Sequence, residues 1–241
     1  MARVFLGVGH GGTDGGAVAN GLKEKDLNLS IALACRDVLE RHGVTVGMSR
    51  AKDEDDPLND EIKECNEFAP DYAIDIHTNA GGGDGAEVFH SILGGYGGKL
   101  AVNVNNEIIA IGQNSRGVKT RQNDKGGDYY GFIRRVHAPA IIVECAFIDN
   151  KTDIAIIDTA AEQHKMGVAI AKGILKTLNI AYVEETPQTA KDNTPDAYAA
   201  EAVQWAIDNG ILKGDANGDY KLHSTITRQD VLVFVYRVFN K

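Results

Sequence analysis

The 241-residue chain is predicted to adopt an α/β fold, a mostly parallel twisted sheet flanked by helices, with a small helical C-terminal domain. Three observations lead there. Apolar runs at residues 4–8, 72–76 and 140–143 lack strict alternation, which suits strands buried on both faces. Stretches with apolar residues at helical spacing separate these runs. From Ala181 the composition changes to a segment with Pro187 and Pro195 and no apolar periodicity, the signature of a linker. The expected division is a first domain at 1–180, a linker at 181–195 and a helical module at 196–241.

In chain order, residues 2–9 form the first strand and lead into Gly9-His10-Gly11-Gly12-Thr13-Asp14-Gly15-Gly16. So many glycines let the backbone turn sharply and approach a ligand closely. A phosphate-cradling loop would need GxGxxG or a Walker pattern with its Lys, and neither is present. Residues 24–42 read as a helix on Leu27, Ile31, Ala34, Cys35, Val38 and Leu39, stopped by Gly43, with Glu24 in its first turn. A second strand follows at 44–49, and the acidic run Asp53-Glu54-Asp55-Asp56 reads as a solvated loop before a helix at 58–68. A third strand at 71–77 ends on His77, with Asn79 just beyond; a fourth lies at 86–91, and an amphipathic helix spans 98–112. Residues 113–138 read as a long polar loop near a site rim, a natural substrate-binding element. The run at 140–147 is a strand interrupted by Glu144, and a helix at 160–178 closes the domain. In the tail, a helix runs through Trp205 and a second starts near Thr227.

Composition sets bounds. Hydrophobic content of 43% and charge of 24% are ordinary for a globular protein, and no apolar run approaches the ~20 residues that span a bilayer. A net charge of −9 without a basic stripe disfavours nucleic acid as a partner. Three widely spaced cysteines, Cys35, Cys65 and Cys145, argue against a disulfide framework. No secretory signal is read at the N-terminus, so synthesis in the cytoplasm, without membrane association, is expected.

The strand-like runs share one further property: they deliver His10, His77 and Glu144, and Glu24 opens the helix after the first. Ligand sites of open α/β sheets assemble at the carboxyl ends of strands. Two histidines and two glutamates on one rim suit a zinc hydrolase, with three ligands, one open position and one general base. Each alone has a blander reading; Glu24, for instance, is a carboxylate favoured by the helix dipole. His42 reads as a helix C-terminal residue, His90 as a strand-face residue, and His164 and His223 as surface positions. His137 is kept as a transition-state donor, while Asn79 and Asp14 are candidates for substrate contact, ligand support or turn formation.

Taken together, Gly9-His10-Gly11-Gly12, Glu24-Lys25-Asp26-Leu27-Asn28-Leu29, Ser49-Arg50 with Asp53, Ile76-His77-Thr78-Asn79-Ala80 and Pro139-Ala140-Ile141-Ile142-Val143-Glu144 resemble the zinc N-acetylmuramoyl-L-alanine amidases of the Amidase_3 type. The resemblance covers residues 2 to about 180. It implies one Zn2+ held by His10, Glu24 and His77, with Glu144 as catalytic acid-base, and cleavage of the amide between muramic acid and the L-Ala of the peptidoglycan stem. Gly7, Glu61 and Cys145-Ala146 depart from the family pattern without removing a ligand. In the tail, Ala202-Val203-Gln204-Trp205-Ala206, Asn209-Gly210-Ile211-Leu212-Lys213-Gly214 and Ile226-Thr227-Arg228-Gln229 are similar to a single S-layer homology repeat. Such a repeat implies binding to a secondary cell-wall polymer, docking on the catalytic domain, or pairing in a homodimer. Asp215-Ala216-Asn217-Gly218-Asp219 starts like a calcium loop but fails at positions six and twelve, Tyr220 and Ile226. A phage or prophage lysis enzyme released to the wall is the expected setting, with a host autolysin as the alternative. A zinc peptidase and a non-catalytic wall-binding protein are the other readings; the latter would require a missing ligand or Glu144.

Overall fold

Val4, Leu6 and Val8 turn to one side of the first strand, and Phe5 turns to the other. Both sides are buried, so the strand must lie inside a sheet covered on two faces. The computed structural model describes residues 1–184, 193–214, 218–224, 231–232 and 235–236. Its sheet has the order β4-β1-β5-β8-β6-β7. The strands are β1 (Arg3–Val8), β4 (Thr45–Met48), β5 (Tyr72–Asn79), β6 (Ala86–His90), β7 (Ser115–Lys119) and β8 (Ala140–Phe147). Four of the five pairings are parallel; β8 and β6 run antiparallel. A two-residue-per-strand hairpin, β2 (Val18–Ala19) and β3 (Leu22–Lys23), precedes the first helix.

On one face lie α1 (Glu24–Arg41), α3 (Gly95–Ala110) and α6 (Ala160–Thr177), whose Ile31, Leu39, Leu100, Ile108, Ile170 and Ile174 join the larger core. Thr159 caps α6 by accepting from Glu162 N at 3.2 Å. The other face carries α2 (Leu58–Phe68) and α4 (Gly131–Arg135), with a smaller core of Phe5, Ile62, Cys65, Phe89, Phe132 and Ile142. A short helix, α5 (Lys151–Ile154), follows β8. The sheet, its helices and the mostly parallel order match the expected class.

One expectation needs correction. Residues 113–138 are not one loop: they contain β7, paired in parallel with β6, and α4. Ser115–Lys119 has the sequence SRGVK, and as an edge strand it needs no apolar run. The acidic run is a largely exposed loop, as expected, and it has a further role. Asp53 Oδ1 accepts from Gly12 N at 2.8 Å and Asp55 Oδ1 from Thr13 N at 2.7 Å, so the run clamps the glycine loop.

By backbone contacts the chain divides into Met1–Val183 and Glu184–Lys241. In the second unit α7 (Ala200–Asp208) carries Trp205. Asn193 accepts from Tyr220 N at 2.7 Å and donates to Gly218 O at 2.9 Å, so this unit reaches back at least to Asn193. The helix expected near Thr227 and the start of the calcium-like loop, Asp215 to Asn217, lie outside the described residues.

Candidate metal centre

His10 leaves the carboxyl end of β1 with φ of 63°, a left-handed conformation that turns its ring back toward α1. Glu24, the first residue of α1, meets it there: His10 Nε2 lies 3.3 Å from Glu24 Oε2. Backbone donors fix that carboxylate, Ala17 N at 2.9 Å and Thr78 N at 3.1 Å. His77, near the end of β5, places Nδ1 3.0 Å from Glu24 Oε1. Gly9 makes room for this ring, because a Cβ there would lie 2.2 Å from His77 Cε1. One donor atom from each of His10, Glu24 and His77 falls within a 4.8 Å cluster. Ligands ~2.0–2.1 Å from a tetrahedral zinc stand about 3.3 Å apart, so the spacing fits that ion.

The outer nitrogens are also occupied. His10 Nδ1 is 2.8 Å from Asp14 Oδ2, and His77 Nε2 is 3.3 Å from Asp75 Oδ1. Carboxylates behind ligating imidazoles fix the tautomer and raise ligand basicity. Asp14 thus stands behind His10, whereas Asp75, behind His77, was not singled out from sequence. Its position two residues before His77, on the same strand face, was the available signal.

Electrostatics follow from this packing. Burial opposes charge on Glu24, but hydrogen bonds from His10 and His77 hold it well below the usual carboxylate range. Burial also opposes charge on His77, but Asp75 and Glu24 lift it well above the ordinary imidazole value. Glu24, against burial and helped by Asp14, raises His10.

Glu144 is the Cα partner of His77 across the β5–β8 pair, and Glu87 is its partner across β8–β6. Ile76, Val143 and Val88, their strand neighbours, all enter the larger core. His77, Glu144 and Glu87 therefore face the opposite side together, as a row across three strands. Burial pushes Glu144 up to about 7, with His77 pulling the other way. Glu87 was missed: it interrupts the apolar run of β6 as Glu144 interrupts that of β8, but the run is shorter.

A cavity of about 280 Å³ opens beside the ligands, lined by His10, Asp14, Asp56, Leu58, Tyr130 and Phe132 among others. Behind it, Glu61 of α2 buries its Oε1 beside Asp75 of β5, whose Oδ1 has His77 Nε2 at 3.3 Å. Burial first, then the charges of Asp75 and Asp56, raise Glu61 well above the ordinary range. A raised value favours the protonated carboxyl, the form that can donate between two facing acceptors. Gly7 creates the space, since a Cβ there would lie 2.0 Å from Glu61 Oε1.

Two of the remaining candidates separate. Asn79 donates to Glu87 Oε2 at 3.4 Å and accepts from Ala80 N at 2.8 Å, tying the end of β5 to the row. His137 is exposed, precedes the amino end of β8, and its backbone N donates to Asn66 Oδ1 at 2.8 Å. Glu144 lies four residues further along from Ala140, roughly 13 Å at strand rise, so the structure does not bring His137 together with the other candidates.

The N-acetylmuramoyl-L-alanine amidase family (Amidase_3) matches residues 4–176. The chain belongs to that family. This amidase domain is accompanied by a match of residues 191–232 to the S-layer homology domain. The N-acetylmuramoyl-L-alanine amidase CwlM of Bacillus licheniformis is 32% identical over 227 residues, covering 90% of this chain and 87% of that protein. An endolysin of Bacillus phage SPP1 is 30% identical over 228 residues, covering 90% and 83%. Among solved structures, the amidase AmiC2 of Nostoc punctiforme superposes with a TM-score of 0.67 at 29% identity, covering 74% of this chain and 97% of that one. Cwp6 from Clostridium difficile gives 0.72 at 36% identity, covering 73% of this chain and 29% of that one. The chain is a peptidoglycan amidase, and the His10–Glu24–His77 group stands where the fold brings strand ends together.

Proposed function

We propose that the chain hydrolyses the amide between N-acetylmuramic acid and L-Ala with one Zn2+ held by His10 Nε2, Glu24 and His77 Nδ1. The observation that carries the reading is the convergence of those three donors next to a half-buried glutamate in register with His77. When bound, zinc supplies positive charge that polarises the scissile carbonyl and brings the pKa of water down to about 7. Glu24 offsets part of that charge, and Asp14 and Asp75 keep the imidazole outer nitrogens protonated and the rings aimed. Glu144 takes the proton of the attacking water and returns it to the leaving amine, the two transfers expected of a general acid-base.

The likeness to the SPP1 endolysin supports a phage-lysis setting. The S-layer homology match supports a second unit that holds a cell-wall polymer. Mass spectrometry of digested Gram-positive walls, with and without chelator, tests the chemistry. The expected products are stem peptides with new N-terminal Ala, lost on chelation and restored by zinc. Cuts between two amino acids would instead make the chain a zinc peptidase.

A further inference from the structure

Beyond Glu144 the row of side chains continues into a cationic wall. Glu87 is buried, and its Oε1 accepts from Lys119 Nζ at 2.6 Å and from Arg116 Nε at 2.5 Å. Burial works against its charge, but Lys119 and Arg116 hold it below the ordinary carboxylate range. The register of β6 with β7 shifts between Ala86 and Val88, which turns Arg116 onto the face that Glu87 occupies. The guanidinium also lies over Phe147, 5.3 Å from its centroid. Among the described residues neither terminal nitrogen of Arg116 has an acceptor, and its side chain is 43% exposed. Lys119 is 33% exposed. One carboxylate thus anchors two cations whose remaining donors point outward, leaving a net positive charge.

The setting sharpens this. Residues 113–138 carry six Lys or Arg against two Asp in a chain of net charge −9. Across the ligands, the cavity wall is acidic, with Asp14 and Asp56. The two sides of the centre therefore differ in sign. Glu144 to β7 is two strand spacings, roughly 10 Å. An extended peptide spans that distance in two to three residues, and long cationic side chains reach part of it.

We propose that Arg116 and Lys119, preorganised on Glu87, form the subsite for a carboxylate on the stem residue that follows L-Ala. The inference rests on the amidase reading and adds a direction to it: the peptide leaves Glu144 across β6 toward β7. An Arg held through Nε keeps its terminal nitrogens for an outside carboxylate, and Lys119 adds a point charge.

Calorimetry with two synthetic L-alanyl peptides tests the subsite without turnover. They are identical except that the residue after Ala presents a carboxylate in one and a carboxamide in the other. The full chain is expected to bind the carboxylate peptide about ten- to a hundredfold tighter, a preference that shrinks with salt. In Arg116→Gln and Lys119→Gln the ratio of the two affinities falls toward one. Arg116→Lys, which keeps the charge, retains part of it. General loss of folding weakens both peptides alike and leaves the ratio in place. Equal affinities in the wild type, no binding of either peptide, or a preference that survives in both variants would overturn the proposal. Wall digestion reports on the amidase reading separately, so the two can fail independently.

Discussion

Glu144 sits in the fold at a cost. Its burial raises it from 4.5 to about 7, so the folded protein holds this proton more tightly than the unfolded chain. That contribution to stability is complete below pH ~4.5 and is lost as pH rises through ~7, leaving a penalty of up to about 3 kcal/mol above it. Glu144→Gln removes the charge and keeps the shape. In metal-free protein the variant is expected to melt several degrees above the wild type at pH 8 and close to it at pH 4, while with zinc supplied its turnover falls at least ~100-fold. Equal melting at both pH values would locate the cost elsewhere. The same residue shows what was legible in advance. A Glu inside an apolar strand announces itself because only a paired or functional charge survives there. Asp75 interrupts the run of β5 in the same way, but Glu61 made no such announcement, since its place beside Asp75 arises between α2 and β5.

At the junction of β1 with α1, a single buried side chain holds the ends that carry two of the proposed ligands. Arg50 is 2% exposed; it donates to Val8 O at 3.0 Å, Gly9 O at 3.4 Å and Lys25 O at 2.7 Å. These carbonyls flank His10 and Glu24. Arg50→Met, similar in volume, leaves them without donors and is expected to cost about 3 kcal/mol. Zinc affinity should fall roughly tenfold, as when outer-shell support is lost. Competition against a fluorescent chelator measures this, and unchanged affinity would show that the glycine loop holds its shape by the Asp53 and Asp55 clamps alone. Long elements such as α1, α6 and β8 were readable because apolar periodicity is imposed by burial. β7 and the hairpin were not, because an edge strand of polar residues and a two-residue strand carry no such pattern.

For the molecule as a whole, two units imply two separable tasks. Truncation after Val183 is expected to keep turnover of soluble muramoyl peptides within about twofold while weakening cosedimentation with intact walls. Cosedimentation equal to that of the full chain would assign wall binding to the catalytic unit instead. The Gly7–Glu61–Asp75 arrangement has a consequence for anyone recombining this enzyme with its relatives. Positions 7, 61 and 75 lie on β1, α2 and β5, yet they pack as one unit. A chimera that imports β1 with any side chain at position 7 evicts the Glu61 carboxyl from where it reaches Asp75, the residue behind His77. Crossover points that respect the boundaries between elements are therefore still expected to disturb the carboxylate behind His77 unless all three positions travel together.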